Sequence, residues 1–168
     1  MIITKTYQDL KPVLMEAGKI KVKEPYYIIQ TPDQAIFVVS SGLNGSEYNK
    51  TEGFISNYQG VQTYQCLYGQ GVLLMQRNDE RGEAKEFKVV TLNAGRQISV
   101  PAFWAISLVN IGKTFLVILA NIDIGSKDIE TKPIIDKHGL AYYVVEKKGE
   151  VSFEQNPKYD VHPQITTE

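Results

Sequence analysis

Two stretches of the sequence decide the fold: residues 62–71, QTYQCLYGQG, and residues 95–112, GRQISVPAFWAISLVNIG. Six residues separate Gln62 from Gly69 in the first stretch, and five separate Gly95 from Pro101 in the second. Apolar, aromatic and β-branched residues of the kind found in strands lie next to the Gly and Pro residues that make turns. We therefore predict that each stretch is a strand motif with a tight turn.

The same pattern extends on both sides of these stretches. Further strands are predicted at residues 25–29, 35–39, 72–77, 86–92 and 114–122, with a turn at residues 42–46 and a hairpin tip at residues 78–82. Short strands at roughly even spacing are typical of β-sandwiches and β-barrels. The chain is therefore predicted to be all-β, with a closed or double-sheet fold.

The two ends of the chain differ from this central region. Spaced apolar residues after a possible cap at Thr6 predict a short helix to Ala17, interrupted near Pro12. Beyond residue 125 the chain is more charged, with strands predicted at residues 140–145 and 150–153 and a loose tail from about Tyr159. We predict one domain over residues 1–168: a helix and lead-in at 1–24, a barrel at 25–125, and C-terminal strands and tail at 126–168.

Composition excludes several classes of function. The 18 basic and 19 acidic residues nearly cancel and form no basic stripe, so nucleic acid is not an expected partner. The first residues, 1–9, turn polar before an apolar signal-peptide core could form, and no apolar run reaches the ~20 residues that a membrane helix needs, so we expect a cytoplasmic protein with no membrane partner. The single cysteine, Cys66, excludes an internal disulfide and a multi-thiolate zinc site, and we expect it to be a small buried side chain.

The spacing of the two motifs resembles the two signatures of the cupin superfamily. The pattern Tyr64-x-x-Leu67-x-Gly69-x-Gly71, followed by residues 101–112, is similar to the cupin-type glucose-6-phosphate isomerases of archaea and some bacteria. The resemblance implies a cupin barrel, which is a double-stranded β-helix or jelly roll. A short N-terminal helix and a small irregular C-terminal segment would complete it.

The same resemblance indicates that the metal ligands are replaced. Members of that family hold a divalent metal with a Thr-x-Gly-His-x-His segment, a Glu and a later His. The corresponding positions here are Phe54, Ser56, Gln62 and Ile106, and no His precedes His138. Phe and Ile cannot coordinate a metal, and a Gln amide neither carries charge nor titrates near neutral pH. We therefore expect no metal and no other cofactor, and no orthodox isomerisation.

The candidate ligand-binding residues come partly from strand parity and partly from the resemblance. Parity places Gln62 and Tyr64 on one strand face, and Trp104 and Asn110 together on another. The resemblance adds two positions that lie near the substrate phosphate in the family. The candidate set is Thr51, Gly53, Gln62, Tyr64, Trp104 and Asn110. The alternative is a packed interior in which Phe54 and Ile106 fill the space of the metal and its ligand.

Three functions follow from these residues. The favoured hypothesis is a non-enzymatic protein that binds a small polar metabolite, such as a sugar phosphate, inside the barrel without a metal. The second is a sugar-phosphate isomerase with relocated chemistry, in which Glu52 or Tyr64 acts as the acid or base. The third is a structural or assembly protein. We expect a homodimer in each case.

Overall fold

A computed structural model of the chain describes residues 1–168 and consists mainly of short strands. The strands are β1 (Ile2–Lys5), β2 (Tyr26–Gln30), β3 (Ala35–Val39), β4 (Leu43–Asn44), β5 (Glu47–Tyr48), β6 (Phe54–Ser56), β7 (Gln62–Tyr68), β8 (Gln70–Asn78), β9 (Ala84–Asn93), β10 (Gln97–Val100), β11 (Ala105–Asn110), β12 (Leu116–Ala120), β13 (Ile129–Glu130), β14 (Tyr142–Lys147), β15 (Glu150–Gln155) and β16 (Ile165–Thr167). The helices are α1 (Tyr7–Leu10), a 3₁₀ turn at Lys11–Val13, and α2 (Lys132–Asp136). None of them has the length and apolar character that crossing a membrane would require.

The strands form two six-stranded sheets and one smaller sheet. Sheet I has the order β1-β2-β3-β12-β7-β10, sheet II the order β13-β6-β11-β8-β9-β16, and sheet III the order β15-β14-β5-β4. All pairings are antiparallel except that of β16 with β9. Sheets I and II pack face to face, and their strands cross between the two layers as in a jelly roll. The prediction of an all-β cupin barrel is confirmed.

The core lies between sheets I and II because alternate residues of their strands point inward. The inward side chains include Phe37, Tyr64 and Ile118 from sheet I and Ile106 and Leu108 from sheet II, and none of the five is more than 1% exposed. Cys66 is buried and unpaired, as predicted. The barrel interior is therefore a closely packed apolar layer rather than an open channel.

The C-terminal segment covers the outer face of sheet II. Gln76 of β8 accepts a hydrogen bond from the backbone N–H of Ala141 at 2.8 Å and donates one to the Tyr159 hydroxyl at 3.2 Å. The rings of Phe87 and Tyr142 meet edge to face, with centroids 4.9 Å apart. Tyr159 is buried, and β16 beyond it pairs with β9, so the prediction of a loose tail from Tyr159 is wrong. The tail is ordered by long-range pairing that no local pattern indicates.

The N-terminal region combines a correct prediction with two differences. Thr6 caps α1 as predicted, because its hydroxyl accepts from the backbone N–H of Asp9 while the Asp9 carboxylate accepts from the N–H of Thr6. The helical residues end at Val13 rather than Ala17, since Pro12 has no N–H to continue the helix. Strand β1 was not predicted. It pairs with β2, so residues 2–5 belong to sheet I.

A buried ion pair ties the lead-in after α1 to the rest of the chain. The Lys50 ammonium lies 2.6 Å from the Glu47 carboxylate and donates to the Val13 carbonyl at 2.7 Å. The other Glu47 oxygen accepts from the backbone N–H of Met15 at 2.8 Å. Both charged residues are buried, at 6% and 1% exposure. The pair therefore holds the N-terminal lead-in against sheets II and III.

We expect Lys50→Met to destabilise the protein by about 3–5 kcal/mol, because it leaves the Glu47 carboxylate buried without its cation. Urea denaturation followed by circular dichroism measures the change. The control is Lys19→Met, at an exposed lysine, which should leave the free energy of unfolding within about 0.5 kcal/mol of the original. A loss at Lys50 no larger than that of the control would contradict this account.

Candidate functional site

Phe54 and Ile106, the first and last of the positions at which the resemblance implies metal ligands, lie directly opposite each other. Strand β6 pairs with β11 so that Phe54 faces Ile106 across the ladder. Both side chains point into the barrel and are buried, at 3% and 1% exposure. The Phe54 ring also stacks with Phe37 of sheet I, with centroids 6.3 Å apart. Carbon side chains thus occupy the part of the interior where the resemblance implies a metal.

The remaining donors do not fit a divalent metal. The Ser56 hydroxyl accepts a hydrogen bond from the backbone N–H of Tyr58, and Gln62 offers only a neutral amide. The chain contains no cluster of three or more His, Cys, Asp or Glu side chains placed to hold a metal ion. Its histidines, His138 and His162, both lie in the C-terminal segment, where His162 Nε2 contacts the Asn156 carbonyl at 2.8 Å.

Gln62 and Tyr64 are buried side by side on β7 without hydrogen-bond partners. Their exposed fractions are 2% and 0%, and neither the Gln62 amide nitrogen nor the Tyr64 hydroxyl has a partner. Burial raises the pKa of Tyr64 well above its ordinary value, since a phenolate would lose its hydration. The hydroxyl therefore stays protonated at neutral pH and fits the role of a donor rather than that of a general base.

Residues 51–53 are fixed against β11. The Thr51 hydroxyl accepts from the backbone N–H of Leu108 at 3.0 Å, and the Thr51 carbonyl accepts from the Ser107 hydroxyl at 3.0 Å. Gly53 has φ = +90°, and a Cβ there would lie 2.9 Å from the Ile106 carbonyl oxygen. Both residues therefore have structural roles, and the predicted phosphate contacts remain predictions.

A cavity of about 200 Å³ opens beside Phe54 between sheet I and the segment around β13. We call it the mouth cavity. Its apolar walls are formed by Ile3, Ile28, Phe37, Phe54, Ile124 and Ile129, and its polar lining includes Lys5, Glu52 and Thr131. Thr51 and Gly53 also line it, so four of the residues singled out from the sequence, residues 51–54, meet at one cavity.

Lys5 and Glu52 form the charged side of the mouth cavity. The Lys5 ammonium lies 3.5 Å from the Glu52 carboxylate, with the two side chains 29% and 13% exposed. The backbone N–H of Glu52 donates to the buried Tyr26 hydroxyl at 3.2 Å, which fixes the position of the residue. Sequence analysis missed Lys5 because β1 was not predicted. The only local signal was the short alternation of apolar and polar residues at positions 2–5.

The other predicted residues lie outside the principal cavities. The Asn110 amide donates to the carbonyls of Val39 and Thr114, and its oxygen accepts from the N–H of Gly112. Asn110 is therefore a turn-closing residue with its side-chain donors and acceptor engaged. The Trp104 ring lies under the Lys88 ammonium, 5.2 Å from its centroid. Gln62 and Tyr64 line none of these cavities either.

A second, larger cavity of about 430 Å³ lies next to the mouth cavity and differs from it in charge. It is lined by Ser56, Tyr58 and Asn121 together with Asp33, Asp123 and Asp128. Its three carboxylates repel anions, whereas the mouth cavity has a single carboxylate, Glu52, which is paired with the Lys5 ammonium. An anionic ligand would therefore favour the mouth cavity.

The model of the glucose-6-phosphate isomerase (GPI) family matches residues 31–162, which span both strand motifs, the lining of the larger cavity and the part of the mouth cavity formed by residues 37–131. The chain belongs to this family. A glucose-6-phosphate isomerase of Thermococcus litoralis is 29% identical over 153 residues, which are 87% of this chain and 76% of that protein. One of Pyrococcus furiosus is 32% identical over 128 residues, which are 74% of this chain but only 63% of that protein.

The solved structures that match this chain share less of its sequence than the two isomerases do. The capsular polysaccharide assembling protein CapF of Staphylococcus aureus is 15% identical, with a TM-score of 0.48 over 66% of this chain and 30% of that one. The cupin domain of Drosophila melanogaster CENP-C is 12% identical, with a TM-score of 0.42 over 65% of this chain and 79% of that one. The fold assignment rests on the strand order and the family match.

We expect Gln62→Leu to keep or raise the stability of the ligand-free protein, by up to about 1 kcal/mol, because it removes a buried donor that has no partner. The matched control is Gln76→Leu, at a buried glutamine whose amide group bonds to Ala141, Asn78 and Tyr159. That control should lose about 1–3 kcal/mol, since its partners stay buried and unpaired. Chemical denaturation of both variants compares them. If Gln62→Leu lost as much stability as Gln76→Leu, the Gln62 amide would have hydrogen-bond partners after all, which would contradict this account.

Proposed function

We propose that this member of the glucose-6-phosphate isomerase family binds a small anionic metabolite in the mouth cavity without a metal. A sugar phosphate is the first candidate. The observation that supports this proposal is the position of the cavity, which lies against Thr51, Gly53 and Phe54 and has Lys5 as its cation. These are the residues at which the family pattern brings substrate and metal together. Here that segment keeps a binding space but no coordinating side chain.

The size and lining of the mouth cavity restrict the ligand. At about 200 Å³ it is smaller than the roughly 300–1,000 Å³ pockets that hold drug-sized molecules, so the ligand is compact. The Phe54 ring and the isoleucine walls suit the C–H face of a sugar ring. The Glu52 carboxylate can accept hydrogen bonds from ring hydroxyls, and the Lys5 ammonium can pair with a phosphate.

The replaced donors support binding without isomerase chemistry. Isomerisation of an aldose to a ketose moves a proton between neighbouring carbons, which requires a group that can take it up and return it. The Gln62 amide does not titrate, and the raised pKa of Tyr64 keeps its hydroxyl protonated. Phe54 and Ile106 leave no metal to polarise the sugar carbonyl. The cupin barrel would then bind the metabolite without converting it.

We expect fructose 6-phosphate to raise the melting temperature in the presence of EDTA. Ligand at about 100 times its Kd adds about 2.7 kcal/mol, which for a domain of this size corresponds to roughly 5–10 °C. Lys5→Gln should weaken binding by about 10- to 100-fold, since it removes a charge-assisted hydrogen bond. Differential scanning fluorimetry and isothermal titration calorimetry measure both effects.

The matched control is Lys19→Gln, at an exposed lysine outside the mouth cavity, which should bind as the unmodified chain does. Glucose 6-phosphate, inorganic phosphate and a carboxylic acid such as phenylpyruvate complete the panel. A shift by phenylpyruvate alone would keep the cavity as a binding site but reject the sugar. If no member of the panel binds, or if Lys5→Gln has no effect, the proposal fails.

One observation favours isomerisation as a second candidate. Glu52 lines the mouth cavity with a carboxylate that is 13% exposed, so it could reach the carbon atoms of a bound open-chain sugar. A carboxylate so placed can transfer a proton without a metal, and such catalysis contributes about 10²- to 10⁴-fold in rate.

We expect no interconversion of fructose 6-phosphate and glucose 6-phosphate above background, with EDTA or with added divalent metal. A coupled assay for glucose 6-phosphate measures it. Turnover that persists in EDTA and disappears in Glu52→Gln would establish the isomerase instead. Turnover that requires added metal would contradict our conclusion that the side chains at positions 54, 56, 62 and 106 do not fit a divalent metal.

A further inference from the structure

The larger cavity, of about 430 Å³, has a negative charge that the chain does not neutralise. Asp33, Asp123 and Asp128 line it, and no lysine or arginine is among its lining residues. None of these three carboxylates forms an ion pair with a basic side chain of the chain, whereas Glu52 in the mouth cavity is paired with Lys5. The potential inside the larger cavity therefore favours a cationic ligand.

The segments that carry these carboxylates are tied to the barrel. Asp33 lies in the turn between β2 and β3, and the other two lie in the loop between β12 and β13. Strands β3 and β12 pair as far as Ala35 and Ala120, which brings the turn beside the start of the loop. The backbone N–H of Asn57 donates to the Asp128 carbonyl at 2.8 Å and joins the end of the loop to β6. The cavity is therefore formed without a ligand.

The size of the larger cavity fits an organic ligand rather than a metal ion. The chain has no group of three His, Cys, Asp or Glu side chains placed to hold a metal ion. A volume of about 430 Å³ lies within the roughly 300–1,000 Å³ of pockets that bind small organic molecules. Negative charge spread around such a volume suits an organic cation that carries ammonium groups.

A buried hydroxyl at the wall of the larger cavity has a donor that the chain does not use. Ser56 lines the cavity and is 3% exposed, and its oxygen accepts from the Tyr58 backbone N–H at 3.2 Å. Its own O–H donates to no group of the chain. A buried donor without an acceptor costs free energy, so this position calls for a ligand that supplies one. Ammonium groups cannot accept hydrogen bonds, and the cation must therefore also carry oxygen atoms.

An aromatic ring forms another part of the wall. Tyr58 lines the larger cavity and is 49% exposed. A Cβ at Gly60 would lie 2.4 Å from the Tyr58 phenol, so the ring rests directly on the Gly60 backbone and a side chain there is excluded. An open aromatic face can pack on the C–H groups of a ligand ring and attract a nearby cation.

We propose that the larger cavity binds a polyhydroxylated primary amine of the amino sugar or aminocyclitol class. Its ammonium groups would lie among the three carboxylates, and its hydroxyl oxygens would accept from the Ser56 O–H and donate to the remaining carboxylate oxygens. The ligand ring would pack on Tyr58. This site is separate from the anion site proposed in the mouth cavity and does not depend on it.

The first test compares ligands that differ in charge. An NMR titration at low salt should show 2-deoxystreptamine, with two amines, binding more tightly than glucosamine, with one. Glucosamine should bind about 10-fold more tightly than glucose and N-acetylglucosamine, which keep the hydroxyls but lack the charge. About 0.5 M NaCl should weaken binding of both amines, because their charges are screened. If neither amine binds, or if neutral and charged sugars bind equally, the proposal is overturned.

The second test locates the site. The Asp33 side chain makes no hydrogen bond in the chain, so Asp33→Asn should fold normally and raise the Kd for glucosamine about 3- to 10-fold. Adding Asp128→Asn should raise the effect to at least about 10-fold, and Ser56→Ala should weaken binding by about 3- to 10-fold. Circular dichroism checks that each variant is folded. If the double variant misfolds, Asp33→Asn alone decides.

The matched control is Asp160→Asn, at an exposed aspartate outside both cavities, which should bind glucosamine as the unmodified chain does. Lys5→Gln, in the mouth cavity, should not weaken this binding either. Unchanged affinity in the folded Asp33→Asn variant would mean that the amines bind elsewhere and would overturn the proposal. Loss of glucosamine binding in Lys5→Gln would also overturn it, because the ligand would then lie in the mouth cavity.

Discussion

The arrangement of the barrel interior depends on how residues 51–53 are held against β11. The Thr51 hydroxyl accepts from the Leu108 N–H, and Gly53 lies so close to the Ile106 carbonyl that a side chain could not fit there. These two contacts fix the register of β6 on β11, and the register places Phe54 directly opposite Ile106. The resemblance to the family implies metal ligands at these two positions. Here the register brings together two carbon side chains, which fill this part of the interior.

Residues that serve the backbone differ from the polar residues of the interior in how well their hydrogen-bonding groups are satisfied. Gly69 is retained because a Cβ there would lie 2.2 Å from the Phe115 carbonyl oxygen, a constraint that is independent of any ligand. Asn110 is retained because its side chain closes a turn with three hydrogen bonds. Gln62 and Tyr64, in contrast, are buried without partners, which costs free energy that good packing must offset. Gly69 and Asn110 therefore meet requirements of the backbone, whereas the Gln62 amide nitrogen and the Tyr64 hydroxyl are buried without partners, and a cavity lies beside Phe54 at the barrel mouth.

Most of the fold could be predicted from local patterns, but the site could not. The strand series, the Thr6 cap and the motif spacing follow from residue type and short-range periodicity, and the structure agrees with them. Strands β1 and β16 escaped prediction because each is short and is ordered by a distant partner, β2 or β9. Lys5 was not predicted as a site residue because it lies on β1. The pairing of Phe54 with Ile106 could have been inferred from the motif alignment, whereas the mouth cavity depends on β1 and residues 124–131 meeting across the barrel.

Strand β1 links the mouth cavity to the outer face of sheet I. Its alternation points Ile3 and Lys5 toward the cavity, while Ile2 and Thr4 point outward from the sheet. Strand β1 is an edge strand held only by β2, and such strands fray more readily than central ones. An anion that pairs with Lys5 would hold β1 in place, because it adds a contact that the frayed strand cannot make. Binding in the mouth cavity and pairing of β1 with β2 would therefore support each other through four residues of one strand, with no rearrangement of the barrel.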